Sequence, residues 1–332
     1  MAQLLNQNEP FKINNSVLEK LITMKIKILS VNTSEKKGTV KKPVNSIQLT
    51  DIGVIGDAHS GKWHRQVSLL AIESISKFAE EAGRKIKYGE FAENITTEGL
   101  LLHECKPLDR FRNDNLELEI TQIGKKCHGD NCSIFREVGN CVMPKEGVFA
   151  RVIRNGELKT GDELQYFPKI VNIQIITLSD RASAAEYADK SGPQIKNLAE
   201  QFFSGINRKT AINIQLIPDD PERLKGLIRK GISEKVDIIF TTGGTGIGPR
   251  DITPETVRPM LDKEITGIME LIRVKYGMEK PAALLSRGIA GVSGKTLIYC
   301  LPGSVKAVTE YCNEILPTIE HSIFMLEGID SH

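Results

Sequence analysis

The 332-residue sequence has no apolar run near the roughly 20 residues that a membrane-spanning helix requires. It also lacks an excess of either charge, because 44 Lys and Arg face 42 Asp and Glu, for a formal net charge of +2. Such a balance argues against nucleic acid or an anionic membrane as the main partner. Six cysteines are too few for a disulfide scaffold in a chain of this length, so we expect a cytoplasmic protein with reduced thiols.

The first 23 residues contain no basic cluster followed by an apolar core, so they do not resemble a secretory signal. They carry several Asn and Gln, and we expect a loosely held extension. Met24 directly precedes the first strand pattern and is a second candidate for the start of the protein. The rest of the length predicts two domains, each able to bury its own core.

A glycine-rich connection between a strand and a helix is the most informative stretch of the chain. Residues 236–240 are apolar and rich in β-branched side chains, which is typical of a buried strand. Thr253, Pro254 and Glu255 predict a helix start with Thr253 as its N-cap. The loop between them holds more glycines than a turn of about 2–6 residues needs. Such a loop can bring backbone N–H groups close to an anion.

Two common phosphate-binding motifs are excluded for this loop. No Gly-Lys-Ser or Gly-Lys-Thr follows it, and its spacing is not Gly-x-Gly-x-x-Gly. Asp251 stands two residues before the helix start, and a carboxylate beside a phosphate cradle fits a Mg²⁺-nucleotide site. A plain glycine-rich connector without a ligand is the alternative.

Short strands around one helix in the first half predict a small β-barrel with a few helices. The strands are expected at 25–31, 46–49, 116–123 and 148–153, and an amphipathic helix at 68–83. A loop at 53–65 combines three glycines with an acid and the only tryptophan. It is either a loop closed by Trp63 or, through His59, His64 and Arg65, an anion-binding rim.

Cys127 is the candidate reactive group of this half. It lies beside Lys125, Lys126 and His128, and nearby cations stabilise a thiolate. The sulfur could then act as a nucleophile or ligate a soft metal, whereas an inert buried cysteine is the alternative. A zinc site that also uses His128 and Cys132 is disfavoured, because adjacent side chains in extended backbone point to opposite faces.

The second half repeats strand, loop and helix, which predicts a mostly parallel sheet in an α/β domain. Strands are expected at 171–177, 211–217, 236–240 and 296–300. Helices are expected at 191–203 and from about Ser304, the latter interrupted by Pro317. Ligands of such sheets bind at the carboxyl ends of the strands, where polar residues follow here.

Two adjacent acids follow the second of these strands. Asp220 directly precedes Pro221 and is explained as a helix N-cap. Asp219 has no such duty, so with Asp251 it could hold Mg²⁺ against nucleotide phosphates. Ser304 is either a helix cap or a phosphate contact. Three basic residues offer positive charge for an anionic substrate: Arg181, Arg250 and Lys306.

The Thr-Thr-Gly-Gly-Thr-Gly run at 241–246 and the Pro-Arg-Asp-Ile-Thr-Pro-Glu run at 249–255 closely resemble the signature of the molybdopterin adenylyltransferases. These are the MogA-like domains of molybdenum cofactor biosynthesis, and the resemblance covers about residues 169–328. It implies a three-layer α/β/α fold in which Asp219 and Asp251 are the catalytic acids and hold Mg²⁺. It further implies that pterin and ATP contact Ser179, Asp180, Arg181, Thr242, Gly243, Gly244, Thr245, Gly246, Arg250, Thr253, Pro254, Glu255, Ser286, Arg287, Leu301, Pro302, Gly303, Ser304 and Lys306.

Residues 56–59, 63–68, 89–94 and 124–128 resemble the MOSC domain, as do 141–144, 146–150 and 161–162. This resemblance covers about residues 25–165. It implies a β-barrel in which Cys127 handles sulfur or ligates the molybdenum of the molybdopterin cofactor.

Taken together, the sequence predicts an extension at 1–23, a MOSC domain at 24–166 and a MogA-like domain at 167–332. The leading hypothesis is a nucleotidyltransferase that moves AMP from ATP to molybdopterin, with other molybdenum cofactor biosynthesis proteins as partners. Family members are often trimers, so a homo-oligomer is expected. The alternatives are a molybdopterin carrier without turnover and a protein whose main activity is sulfur transfer from Cys127.

Overall fold

The structure is a computed structural model that describes residues 24–126 and 141–329. Within the chain it divides into two compact units, with the boundary between Lys169 and Ile170. The extension predicted at residues 1–23 lies outside the described residues, and so does Cys127. In the parts of the chain that are described, no helix has the length and apolar character needed to cross a membrane.

The N-terminal unit is a closed β-barrel, as predicted. Its strands are β1 (Lys25–Thr33), β2 (Lys42–Val44), β3 (Ser46–Thr50), β4 (Gly53–Val54), β5 (Val67–Ala71), β6 (Ile95–Glu98), β7 (Arg110–Arg112), β8 (Glu117–Ile123), β9 (Val148–Arg154), β10 (Gly156–Lys159) and β11 (Glu163–Phe167). The barrel runs β11-β7-β8-β9-β5-β6-β1 and closes through pairing of β1 with β11, while β10, β3 and β4 form a small second sheet. Alternate strand residues point inward and bury an apolar core.

The helix of this unit is shorter than predicted. Helix α1 covers Ile72–Ala82, and the first part of the predicted 68–83 segment is instead strand β5. All five β5 residues are buried, and Ser68 pairs with Phe149 of the neighbouring strand β9. Pairing with that strand therefore decides the local structure, although the apolar residues have a helical spacing. Gly83 ends α1 in a left-handed conformation, as expected of a C-terminal glycine. A short helix α2 covers Met143–Glu146.

The C-terminal unit is built on a six-stranded sheet. Its strands are β12 (Ile170–Leu178), β13 (Lys209–Ile217), β14 (Ile238–Thr242), β15 (Lys263–Glu264), β16 (Ile289–Ser293) and β17 (Thr296–Leu301). They lie in the order β13-β12-β14-β17-β16-β15. Strands β13, β12, β14 and β17 are mutually parallel, and β16 pairs antiparallel with both β17 and β15, which confirms the predicted mostly parallel sheet.

The helices connect these strands and cover the sheet. They are α3 (Asp180–Ser183), α4 (Ser191–Gly205), α5 (Pro221–Ser233), α6 (Thr253–Val257), α7 (Thr266–Glu279) and α8 (Val305–Leu326), with 3-10 turns at Arg258–Met260 and Pro281–Leu285. The predicted interruption of the last helix is wrong, because α8 continues through Pro317. Proline removes one backbone bond, but buried residues on both sides, such as Leu316 and Ile319, keep the helix packed.

The parallel strands bring four chain segments to one edge of the sheet. The carboxyl ends of β12, β13, β14 and β17 lead into Ser179, Pro218, Gly243 and Pro302, respectively. This edge is where ligands of open α/β sheets bind.

Candidate functional site

The glycine loop after β14 is packed against its neighbours so closely that two positions accept only glycine. Gly243 has φ 106°, and a Cβ there would lie 2.3 Å from the carbonyl oxygen of Leu178. A Cβ on Gly244 would lie 2.6 Å from the hydroxyl of Thr253. Thr253 is the first residue of α6, so the predicted N-cap role is wrong: Ile252 precedes the helix. The Thr253 hydroxyl instead donates to the Gly243 carbonyl at 2.8 Å and ties the loop to the helix start.

The Leu-Pro-Gly turn after β17 supports the same loop. The Gly243 N–H donates to the Leu301 carbonyl at 3.0 Å, and the Thr242 hydroxyl donates to the Pro302 carbonyl at 2.9 Å. A Cβ added to Gly303 would lie 3.3 Å from the Cα of Gly243. The two turns therefore meet backbone to backbone, and part of their polar groups is used in holding them together.

Two serines at strand ends cap the helices that follow. Ser304 precedes α8 and accepts from the Ala307 N–H at 3.3 Å, so the cap alternative is confirmed. Ser179 precedes α3 and accepts from the Ala182 N–H at 3.2 Å. Both remain at the edge of the sheet, where a phosphate group would meet helix N-termini.

Three carboxylates converge where β12, β13 and the glycine loop meet. The Asp219 N–H donates to the Asp180 carboxylate at 3.0 Å, and the Asp180 N–H donates to the Asp219 carboxylate at 3.4 Å. Asp251 accepts from the Gly248 N–H at 2.7 Å. Burial raises the pKa of the Asp219 carboxyl, and the Asp180 and Asp251 carboxylates add to this rise. The Asp180 N–H and the Arg250 guanidinium act against it.

A small polar cavity of about 230 Å³ opens beside these acids. The guanidinium of Arg250 lies 3.6 Å from Asp180, and that of Arg181 lies over the ring of Tyr187 at 5.4 Å. Three carboxylates therefore face two guanidinium groups, which suits a divalent cation together with phosphate groups. The predicted site residues that line this cavity are Ser179, Asp180, Arg181, Asp219, Gly244, Arg250 and Asp251.

A larger cavity of about 470 Å³ adjoins the first and shares Gly244 and Asp251 with it. Its predicted site residues are Gly243, Gly244, Thr245, Gly246, Asp251, Ser286, Pro302, Gly303, Ser304 and Lys306. The opposite wall carries apolar and aromatic side chains from α7, the 3-10 turn at Pro281–Leu285 and α8. A flat ring system with a charged substituent fits such a lining.

The sequence reasoning missed that opposite wall. It is formed by Ile272, Tyr276, Lys280, Leu285 and Tyr311, among others. No motif marks these positions, and the amphipathic pattern of α7 does not say which face meets a ligand. The available signal is that Ile272 and Tyr276, both in α7, are four residues apart and share one face of the helix.

The remaining predicted residues of this half support the loop from behind. Thr242, Thr253, Pro254, Glu255, Arg287 and Leu301 are not among the residues that line either cavity. Arg287 forms an ion pair with Glu255, and its side chain donates to the carbonyls of Gly246 at 2.6 Å and Asp251 at 2.9 Å.

No ready-made metal centre is visible in the described ranges. Within residues 24–126 and 141–329, no group of three or more His, Cys, Asp or Glu side chains is arranged to hold a metal ion. The pair Asp219 and Asp251 would need oxygen ligands from a substrate to complete a Mg²⁺ shell.

In the barrel, the predicted motif residues form a buried ionic network. Asp57 pairs with the fully buried Lys41 and accepts from the His59 N–H at 2.9 Å. Burial acts to raise the pKa of the Asp57 carboxyl, but the bonds from His59 and Lys41 hold that pKa well below its usual range. His59 and Asp57 are therefore engaged in structure, and the guanidinium of Arg65 lies over Trp63 at 4.9 Å. The anion-binding rim stays a prediction.

Glu93 is a second buried acid of the barrel. Its carboxylate accepts from the N–H groups of Gly89 at 2.6 Å and Phe91 at 3.2 Å, and from the Thr96 hydroxyl at 3.0 Å. Complete burial nevertheless raises its pKa to about 7. This acid organises the 89–94 segment, whereas the chemistry predicted for Cys127 falls outside the described residues.

Comparison with known proteins finds a family match for each of the two units. Residues 174–321 match the family described as a probable molybdopterin binding domain, and residues 56–165 match the MOSC domain. Gephyrin of Dictyostelium discoideum is 39% identical over 162 residues, which are 47% of this chain and 22% of gephyrin. Molybdenum cofactor biosynthesis protein B of Bacillus cereus is 37% identical over 163 residues, 48% of this chain and 92% of that protein. Molybdopterin adenylyltransferase of Helicobacter pylori is 32% identical over 159 residues, 48% of this chain and 89% of that protein.

The shared length differs among these relatives. The chain spans only about a fifth of gephyrin, 22%, but 92% and 89% of the two bacterial proteins. All three similarities involve about half of the present chain.

Proposed function

Because the chain belongs to the family of probable molybdopterin binding domains and carries a MOSC domain as well, we propose that it is a molybdenum cofactor biosynthesis enzyme that adenylylates molybdopterin. The proposed domains are residues 24–166 and 167–332. The reaction would take place in the C-terminal unit. One observation carries the proposal: Asp219 and Asp251 lie at one cavity, and the glycine loop joins that cavity to a second one shaped for a ring.

The two cavities suit the two substrates. The larger one offers apolar and aromatic side chains for a pterin ring and Lys306 for its phosphate. The smaller one offers carboxylates and guanidinium groups for the polyphosphate of ATP and its Mg²⁺. Since both cavities include Gly244 and Asp251, the phosphate of molybdopterin and the α-phosphate of ATP would meet at the glycine loop.

The acid pair fits Mg²⁺ because this ion is usually held by one or two carboxylates together with substrate phosphates. Burial and the neighbouring Asp180 and Asp251 carboxylates raise the pKa of Asp219, and a cation held between these acids would oppose that rise. Asp219 and Asp251 would hold the ion, which supplies charge neutralisation on the phosphates.

The transfer itself would rest on positioning and charge stabilisation. An oxygen of the terminal phosphate of molybdopterin attacks the α-phosphorus of ATP, and the bond to the β-phosphate oxygen breaks. The products are adenylylated molybdopterin and pyrophosphate. Arg250 and Arg181 line the smaller cavity and would face the negative charge on the leaving group, and the amides of the glycine loop would hold the attacking phosphate.

The experiment is pyrophosphate release from ATP and molybdopterin, with an adjacent pair of acids as test and control. Asp219→Asn should lower kcat at least about 100-fold, because it removes a charged ligand of the cation that would neutralise the reacting phosphates. Asp220→Asn should stay within about twofold, since Asp220 accepts from the Glu222 and Arg223 N–H groups as a helix cap and Asn caps equally well. Equal losses in both variants would contradict the assignment of Asp219.

A carrier without turnover is the second candidate. The observation that favours it is the larger cavity beside the glycine loop, whose lining suits a ring and does not include Asp219. Tight binding of molybdopterin by the wild-type protein, with no pyrophosphate released in the presence of Mg²⁺ and ATP, would support the carrier and refute the enzyme.

For the MOSC unit we propose that Cys127 binds molybdenum or transfers sulfur to the cofactor. Were sulfur transfer the main activity, Cys127→Ser should abolish it, whereas Asp251→Asn should leave it intact. Other molybdenum cofactor biosynthesis proteins are the proposed partners, and a homotrimer is the proposed assembly.

A further inference from the structure

Arg287 lies behind the glycine loop, away from both cavities of the site. It follows the 3-10 turn at Pro281–Leu285 and lines a third cavity of about 320 Å³ together with Arg258 and Arg273. It is not among the residues that line the two site cavities. A direct contact between Arg287 and the substrates therefore has no support in this arrangement.

The bonds of Arg287 instead converge on the loop. Its backbone N–H donates to the Thr245 carbonyl at 2.9 Å, and Nε donates to the Gly246 carbonyl at 2.6 Å. Nη2 donates to the Asp251 carbonyl at 2.9 Å, and Nη1 pairs with Glu255. One side chain thus holds both ends of the segment 246–251.

That segment carries the group on which the proposed reaction depends. The Asp251 carboxylate borders both site cavities and accepts from the Gly248 N–H at 2.7 Å. The Asp251 N–H in turn donates to the Gly248 carbonyl at 3.0 Å. Apart from Arg287, the segment is tied to the sheet by the exposed ion pair of Arg250 with Asp180 at 3.6 Å, so Arg287 supplies its shorter and less exposed side-chain contacts.

We propose that Arg287 is a positioning residue that clamps the glycine loop and thereby aims the Asp251 carboxylate at the reacting phosphates. This inference rests on the proposed adenylyl transfer. A guanidinium group is required, because its planar fork reaches two carbonyls and one carboxylate in fixed directions, whereas the single ammonium of lysine does not.

The test compares Arg287→Ala and Arg287→Lys with Arg258→Ala as matched control. Arg258 lines the same third cavity and also pairs with a glutamate, Glu264, at 3.2 Å, but it makes no bond to the loop. Deuterium exchange of peptides covering 245–252 should become about tenfold faster in both Arg287 variants and stay unchanged in the control. This readout does not depend on any catalytic activity.

The kinetic arm follows pyrophosphate release. Both Arg287 variants should lose about 10- to 100-fold in kcat with a smaller change in KM for ATP, because Asp251 is misplaced while Asp180, Arg181 and Asp219 lie outside the segment and stay in place. Guanidinium ion at millimolar concentration should restore part of the kcat of Arg287→Ala and none of Arg287→Lys.

Two results would overturn the clamp. One is unchanged exchange at 245–252 in a folded Arg287→Ala protein, and the other is faster exchange spread evenly over the C-terminal unit, which marks a general loss of stability. Inactive wild-type protein with loop exchange altered as expected would refute the proposed function and leave the clamp standing. Arg287→Lys keeps the aliphatic part of the side chain and its positive charge, so the same measurements can be made on this variant if Arg287→Ala does not fold.

Discussion

At the scale of single residues, the neighbouring acids Asp219 and Asp220 differ in the groups that their carboxylates contact. Asp220 has β-region dihedrals before a proline, and its carboxylate accepts hydrogen bonds from two N–H groups at the start of α5. The Asp219 N–H donates to the Asp180 carboxylate and the Asp180 N–H donates to the Asp219 carboxylate, which also borders the cavity. The cap could be predicted from the following Pro221, but the hydrogen bonds with Asp180 could not, because they depend on how two strand ends meet.

The raised pKa of Asp219 predicts that the activity is lost on acidification at a higher pH than an ordinary aspartate would give. If its carboxylate must be ionised, kcat/KM should fall on acidification at a pH above the ordinary aspartate value of 3.8. A neighbouring carboxylate disfavours ionisation, so Asp180→Asn should move this fall in kcat/KM to lower pH. The measurement is the pH dependence of pyrophosphate release, and a fall at the same pH in Asp180→Asn would argue against this coupling.

Glu93 predicts a pH-dependent stability for the barrel. Its pKa is about 7 in the folded protein against an ordinary 4.5, so the folded state holds more protons between these values. Stability should therefore rise as pH falls from 7 to 4.5, by up to about 3 kcal/mol. Glu93→Gln cannot titrate and should flatten this dependence. Denaturant unfolding of both proteins at pH 5 and pH 7.5 measures the difference, and parallel changes in the two would contradict it.

At the scale of elements, the site depends on turns that exclude side chains. The position of the glycine loop between a strand and a helix could be predicted from its sequence, as could the helix start at Thr253. The hydrogen bond from the Thr253 hydroxyl to the Gly243 carbonyl could not be predicted, because a threonine before a proline is also the usual pattern of a helix N-cap. Likewise Ser68 lies in strand β5 because it pairs with Phe149 of β9, and no local sequence pattern predicts this pairing between distant segments.

Gly243→Ala should disable the glycine loop. The new Cβ would face the Leu178 carbonyl at 2.3 Å in backbone with positive φ, so we expect a loss of about 2–4 kcal/mol and of most activity. Gly226→Ala is the matched control, because this exposed helical glycine has open space around its Cα and alanine should stabilise α5 by about 0.5–1 kcal/mol. Thermal unfolding and pyrophosphate release measure both, and an active, stable Gly243→Ala protein would contradict the expectation.

At the scale of the whole molecule, two units with different architectures lie in one chain. Short strands around a single helix predicted the barrel, and repeated strand, loop and helix predicted the sheet, because each pattern follows from how its elements bury apolar faces. The edge of the sheet that carries the site could be predicted from its parallel strands. The wall formed by Ile272 and Tyr276 could not, because contacts between distant segments leave no local signal.

Linking the two units should favour consecutive steps on one cofactor, if both act on it. At matched concentrations of each active unit, wild-type protein should then outperform a mixture of Cys127→Ser and Asp251→Asn chains when dilute, because in the mixture the intermediate has to diffuse between chains. The gap should close as protein concentration rises. The measurement is the rate at which molybdopterin and ATP yield the product of the barrel's step, and equal rates at every dilution would contradict a benefit from linkage.

The backbone-to-backbone meeting of Gly243 and Gly303 has a practical consequence for inhibitors of such a site. A compound that binds the floor made by these turns would meet main-chain atoms, which a point mutation cannot exchange for others. Resistance would have to arise on the facing helix wall, at positions such as Ile272 or Ala283, where a bulkier side chain narrows the space for the ring.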